Sequence, residues 1–327
     1  MPSTKRQQPV EVATPVDGPI PVRIVGGPVV IPARRASEAG AAAPPKKKTK
    51  DGKEKRKKRK AKRTFTAKTA DVHELYQLSV QSPEEDVKFL KRVYKRLRKR
   101  DPKHFREDFC GTGLLMTQWI DAVKDGTAEG FDICPDTLGW GVRNNFARLG
   151  EAASRATLHV KDVREPSLTP PDVRCAQNFS YFIFKQRAEL VGYLKSVHAD
   201  LADGGVFVMD IYGGPESMEE MLEERDIEEG FTYIWDQHKY WPATGDYKTH
   251  IHFHFKDGTK LERAFTYDWR LWTLPELKDA LHEAGFENVE SFWEGTDEDG
   301  ESGNGIYRPS KKGENCLAWV TYLVAAK

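Results

Sequence analysis

No run of about 18 apolar residues occurs in the 327-residue chain, so no membrane-spanning helix is expected. The N-terminus lacks the charged-then-apolar plan of a secretion signal, which points to a cytoplasmic protein. Cysteine is scarce. Cys110, Cys134, Cys175 and Cys316 are scattered without metal-ligand spacing, which suits a reducing compartment and argues against a disulfide framework. Net charge is nearly absent as well, at +1, but the balance hides a split. Residues 46–63 hold thirteen Lys or Arg against Asp51 and Glu54, residues 1–45 stand at +2, and the chain from Thr64 onward is left at −12. A basic stretch is tethered to an acidic body.

The first 63 residues are rich in Pro, Ala, Gly and Lys and show no sustained periodicity, so a disordered tail is expected there and a folded domain over 64–327. One reading of residues 46–63 is a solvated appendage. The other is an anchor for nucleic acid or an acidic surface, with salt-dependent binding and a nuclear location if the source is eukaryotic. No aromatic residue interleaves the lysines, so base stacking is not indicated.

The body is organised around Arg106-Glu107-Asp108-Phe109-Cys110-Gly111-Thr112-Gly113. An extended segment gives way here to a helix whose apolar spacing runs through Leu114, Leu115, Trp119 and Ile120. Strand, Gly-x-Gly, helix is a small-molecule site: glycine lets a ligand approach, and the helix N-terminus presents free N–H groups. Met116 stands where a dinucleotide fingerprint wants its third glycine, which leaves a nucleoside cofactor without a pyrophosphate. Nineteen residues beyond Gly113, a second strand ends on Asp132, placed to take both ribose hydroxyls. Thirty residues further, a third ends on Asp162, where a carboxylate can accept from an adenine amine.

With these residues the chain resembles the class I S-adenosylmethionine-dependent methyltransferases, and within them a group marked by the Arg-Glu-Asp-Phe-Cys-Gly-Thr stretch at 106–112. The resemblance spans residues 71–327 and implies an α/β fold, a Rossmann-like seven-stranded sheet with helices on both faces and the last strand antiparallel. It implies S-adenosyl-L-methionine held by Tyr76, Gln81, Arg106, Glu107, Phe109, Gly111, Gly113, Asp132, Ile133, Asp162, Val163 and Asn178. Glu107 and the glycine turn would approach the methionine part, Asp132 the ribose, Asp162 and Val163 the adenine. Tyr76 and Gln81 precede the sheet and would cover the cofactor, although Tyr76 also serves to pack its own helix. Many members carry glycine where Phe109 stands, so Phe109 either narrows the turn or packs on the cofactor.

Helical spacing covers 70–79, 83–100, 135–149 and 185–201, and strands are read at 172–179, 206–211, 288–294 and 316–325. Asn178-Phe179-Ser180-Tyr181 falls where the methyl group would emerge. Adenine-amine methyltransferases carry Asn-Pro-Pro-Tyr there; both prolines are missing, which argues against a base substrate. Asn178 and Tyr181 are the residues expected at the reaction centre. Residues 228–272 alternate in polarity and are thick with aromatics around an Asp257-Gly258 turn signal, which reads as an antiparallel insertion serving as a lid. Trp235, Tyr240, Tyr267 and Arg270 are its candidate substrate contacts, with hairpin packing as the alternative for the rings and a surface ion pair for Arg270. His250, His252 and His254 share a strand face, but no carboxylate or cysteine is obviously paired with them, so no metal is expected. Thr273-Leu274-Pro275-Glu276 is a capping box, and 296–312 reads as a mobile connection.

Three functions fit: methyl transfer to an N or O nucleophile of a small molecule, methyl transfer to RNA, DNA or protein recruited by the basic stretch, or a non-catalytic cofactor- or nucleic-acid-binding module. The acidic body and the aromatic insertion favour the first.

Overall fold

The computed structural model describes residues 20–27, 64–296 and 303–327. In chain order its strands are β1 (Arg23–Val25), β2 (His104–Asp108), β3 (Thr127–Asp132), β4 (Ala156–Val160), β5 (Val173–Ala176), β6 (Val206–Gly213), β7 (Met221–Ile227), β8 (Phe231–Trp241), β9 (Asp246–Phe255), β10 (Lys260–Arg270), β11 (Asn288–Thr296), β12 (Gly303–Pro309) and β13 (Trp319–Ala326). The helices are α1 (Val72–Val80), α2 (Pro83–Arg98), α3 (Leu114–Ala122), α4 (Pro135–Asn144), α5 (Arg187–Asp200) and α6 (Leu274–Glu283).

Nine strands form one sheet in the order β1-β4-β3-β2-β5-β6-β13-β11-β12, and β10-β9-β8-β7 form a separate antiparallel sheet. From β1 to β6 all neighbours are parallel, and β13 runs antiparallel between β6 and β11. β6 shows why helices cover both faces. Val206 and Val208 pack with Leu90 of α2, Leu115 of α3 and Leu138 of α4, while Phe207, Met209 and Ile211 pack with Leu194 of α5 and Leu281 of α6. Successive side chains leave a strand on opposite faces, so a continuous apolar run feeds two cores. The chain builds β3 and β4 outward from β2 and then returns to lay β5 on the other side of β2. That reversal opens a crevice at the carboxyl ends of β2 and β5, where α/β sheets bind ligands.

Five expectations are corrected. The sheet has nine strands rather than seven, because β1 and β12 extend its two edges. β1 lies inside the stretch read as a disordered tail: Ile20, Val22, Ile24 and Val25 are buried against β4, a local apolar alternation too short to stand out among the surrounding Pro and Gly. The basic run 46–63 lies outside the described residues. β12 occupies part of the connection read as mobile; as an edge strand, largely exposed, it needs little apolar sequence. The small sheet begins at Met221 rather than at residue 228, and the helix read over 135–149 ends at Asn144, followed by a 3-10 stretch in which Gly150 takes φ 54°. Among the described residues, no helix is long and apolar enough to cross a membrane.

Candidate active site

The turn after β2 uses left-handed backbone at Phe109 (φ 55°), Gly111 (φ 51°) and Gly113 (φ 65°). Gly113 has no room for a side chain, since a Cβ there would lie 2.7 Å from the Phe146 ring. Beside Gly111 the nearest atom to such a Cβ would be the Thr137 methyl at 3.9 Å, so the backbone is open to a ligand. Close packing of helix on strand, the work of the missing third glycine, falls to Gly130 of β3: a Cβ there would stand 2.3 Å from Met116 Sδ. Phe109 tolerates its left-handed conformation and sends its ring toward Phe184 and Tyr193, with centroids 6.1 Å away in both cases. It packs inward rather than narrowing the turn.

Two strand-end acids border this turn. Asp132 accepts the Gly111 N–H through Oδ2 (2.9 Å) and the Cys134 N–H through Oδ1 (2.8 Å). Burial raises its pKa, and these bonds oppose the rise. Glu107 is buried and accepts the Met116 N–H in the first turn of α3, while its Oε2 has no partner. Burial, followed by the Asp86 charge, pushes this carboxyl well above its usual range. Ile133 follows Asp132 and is 74 % exposed, an apolar surface beside an acceptor. α1 is tied to this region by Gln77 Nε2, which donates to Thr112 Oγ1 at 2.6 Å, and by Trp140 Nε1, which donates to Asp71 at 2.8 Å. Gln81 caps the end of α1, and its Oε1 is buried without a partner.

Asp162 and Arg106 behave differently from expectation. Both oxygens of Asp162 accept from the Arg164 guanidinium (2.8 and 2.7 Å), which holds the carboxyl below its usual range. Arg106 is fully buried and cannot reach a ligand: it pairs with Asp108 (2.7 Å) and Asp200 (3.1 Å) and lies over the Phe131 ring at 3.6 Å. Arg174 pairs with the same two carboxylates, and both arginines donate to the Val163 carbonyl. Arg106 therefore fixes the segment carrying Val163 from behind, and Val163 itself is buried.

After β5, Asn178 (φ 55°) and Phe179 (φ 58°) are consecutive left-handed residues without being glycine. The buried Asp210 carboxylate holds them by accepting the Asn178 N–H at 2.8 Å and the Phe179 N–H at 3.0 Å; burial pushes its pKa up to about 7. A charged residue inside the apolar run of β6 was the sequence signal for Asp210, and it was missed. Tyr181 is corrected: it is fully buried and donates its hydroxyl to the Asp210 carbonyl at 2.7 Å, away from any open surface.

A cleft of about 660 Å³ opens beside this turn. Tyr76, Asn178, Trp235 and Tyr267 line it together with Tyr212, Tyr233 and Trp269, so helix α1, the main sheet and the small sheet converge there. Glu216, Glu223 and Glu294 add carboxylates, and the one arginine of the lining, Arg225, is bonded to the Ser79 carbonyl and lies over Tyr233. Two expected substrate contacts are absent from the lining. Tyr240 packs edge-on to Tyr247 with centroids 6.3 Å apart. Arg270 lies 3.8 Å over the Trp272 ring and bonds Glu276 and the Lys185 carbonyl, the ion pair that was its alternative. The expectation that no carboxylate accompanies the histidine strand is also corrected, because Asp236 and Glu262 both lie against His252.

No protein-family model and no curated protein matches the chain. Its fold does match solved structures. A S-adenosylmethionine-dependent methyltransferase from Clostridium acetobutylicum aligns with 78% of this chain and 96% of its own, at 15% identity and a TM-score of 0.56. CalS10, described as a S-adenosylmethionine-bound amino pentose methyltransferase from Micromonospora echinaspora, covers 79% and 97% at 18% identity and a TM-score of 0.57. The sugar N-methyltransferase KedS8 from Streptoalloteichus covers 82% and 97% at 18% identity and a TM-score of 0.53. At such identities the likeness is one of fold, and this chain's own fold is an α/β main sheet with a separate antiparallel sheet.

Proposed function

We propose that the chain is a S-adenosyl-L-methionine-dependent methyltransferase acting on a nitrogen or oxygen nucleophile of a small molecule. The observation that carries this reading is the glycine turn at the crevice, bordered by Glu107 and Asp132, with Tyr76 and Asn178 turning from it onto an aromatic cleft. The residues present fit the cofactor. The unpartnered Glu107 Oε2 is an acceptor for an ammonium, the open side of Gly111 gives backbone access, and Asp132 keeps lone pairs for ribose hydroxyls. When bound, the cofactor supplies a methyl group already activated on a sulfonium. This chain's part is to bind, orient and exclude water, which is where such sites gain their rate.

The acceptor class we favour is an amine. Carboxylates and aromatic faces surround the cleft, and rings attract a cation that has lost part of its water. The fold relatives described as acting on an amino pentose and on a sugar nitrogen agree with that choice. The test is calorimetric binding of S-adenosylmethionine and S-adenosylhomocysteine, followed by methyl transfer to amino sugars against their neutral counterparts. Asp132→Ala should weaken cofactor binding by about 10- to 100-fold, the loss of one charge-assisted hydrogen-bond acceptor. No binding to the native chain would overturn the reading. A macromolecular acceptor is the second reading, favoured by the thirteen basic residues at 46–63.

A further inference from the structure

The two faces of the small sheet carry different chemistry. Trp235, Gln237 and Ile251 line the cleft, and their chain neighbours Asp236 and His250 stand on the other face, directly opposite each other in the β8–β9 register. The pairing slips between Gln237 and Lys239, which makes His238 an extra residue in β8. Bulges of this kind re-aim a side chain. Here the result is a cluster: one ligand atom each from Asp236, His238 and His250 lie within 4.8 Å of one another.

The nitrogens are already sorted. His250 is 3 % exposed, and its Nδ1 is hydrogen-bonded to Thr266 Oγ1 at 2.8 Å. The atom it has left is Nε2, which is buried and has no hydrogen-bond partner. With Nδ1–H donated to Thr266, Nε2 keeps its lone pair, the form a metal ion needs. His238 is about half exposed; its ring centroid lies 4.9 Å from that of His250, and its Nδ1 is 3.6 Å from Asp236 Oδ2. His252 steadies the carboxylate from the other side, with Nε2 at 3.2 Å from Asp236 Oδ2 and Nδ1 on Glu262. Because its two nitrogens serve two different acids, His252 is an orienting partner rather than a ligand.

We propose that Asp236, His238 and His250 bind one divalent first-row transition-metal ion, zinc being the best match, with water completing the shell. Two imidazoles and a carboxylate make a nitrogen–oxygen donor set that zinc accepts in tetrahedral form with an open fourth position. Zinc–nitrogen bonds of about 2.0–2.1 Å bring ligand atoms closer together than they stand here, and the exposed His238 is the side chain free to close the gap. The bound ion would clip β8 to β9 directly behind Trp235, Gln237 and Ile251, and so brace one wall of the cleft. The site is independent of methyl transfer, so its test reads metal uptake rather than turnover.

The experiment uses the untagged full-length chain, stripped with chelator and titrated with zinc chloride in a calorimeter, with cobalt(II) absorption as a second readout. One ion per chain is expected, with a visible cobalt band. His238→Ala, at an exposed position that the fold does not need, should abolish both signals, and His250→Gln should do the same. His252→Ala should weaken binding by about 10- to 100-fold, as loss of an orienting partner does. His254→Ala should leave affinity unchanged. Absence of stoichiometric uptake by the native chain, unchanged affinity in His238→Ala, or loss of binding in His254→Ala would each overturn the proposal.

Discussion

Tyr181 donates its hydroxyl to the Asp210 carbonyl from a fully buried position, so its removal is a matter of stability. Tyr181→Phe should cost about 1 kcal/mol through one lost buried hydrogen bond and leave the turnover of folded enzyme at the native level. Urea melts and kcat measured on the same preparation check this; a fall in kcat with unchanged stability would return Tyr181 to the reaction centre. Asp210 itself predicts a pH dependence. Burial raises its pKa from 3.8 to about 7, so between those values the native state keeps a proton that the unfolded chain has released. The stability this group contributes is complete below the unfolded value and is lost as pH rises through about 7. The stability difference between native protein and Asp210→Asn should therefore shrink as pH climbs from about 4 to about 7 and level off above, read from denaturant midpoints at each pH. A difference that stays flat over that span would show that Asp210 ionises normally. Some of these positions were legible in sequence. Glu107 and Asp132 are strand-end acids around a glycine turn, and the structure puts both there. Arg106 was not legible as a buried residue, because contiguous motif residues alternate faces: Arg106 and Asp108 point to the α5 side, and Glu107 between them does not.

Elements with a full period showed themselves early: α2 by its apolar spacing, β6 by its continuous apolar run. Elements defined by pairing alone did not, as β1 and β12 show. β1 carries a practical consequence. A chain beginning at Thr64 loses Val22, Ile24 and Val25, and each such side chain contributes about 1.5–3 kcal/mol when fully buried. That truncation should lower the melting temperature and uncover the β4 edge, whereas excising residues 46–63 alone should not; differential scanning calorimetry of the two proteins distinguishes them. A second tie between elements is the buried quartet of Arg106, Arg174, Asp108 and Asp200, which joins β2 and β5 to α5 and is further bonded by the Tyr193 hydroxyl at 2.7 Å. Charges balance within it. Arg174→Met leaves two carboxylates to one guanidinium, and removing one partner of a buried pair costs about 3–5 kcal/mol. Equilibrium urea unfolding should report a loss of that size, and a neutral result would mean the quartet relaxes or takes up water.

At the scale of the whole molecule, the charge split separates a basic stretch at 46–63 from a body that carries −12 from Thr64 onward. Excision of residues 46–63 should leave methylation of a small amine unchanged; a large drop in turnover would instead favour a polyanionic acceptor, whose binding should weaken steeply with added salt. The order of the sheet also bears on how the protein is made. β13, the last described strand in the chain, is not at an edge but sits between β6 and β11, and Lys327 beyond it donates its N–H to the Gly205 carbonyl. While the chain is still emerging from the ribosome, β6 therefore has an open edge and β11 has no inner neighbour. Completion of the sheet waits for β13, whose pairing with β6 joins residues more than a hundred positions apart. Until that closure the unpaired β6 edge, apolar on both faces, is the kind of surface that favours aggregation.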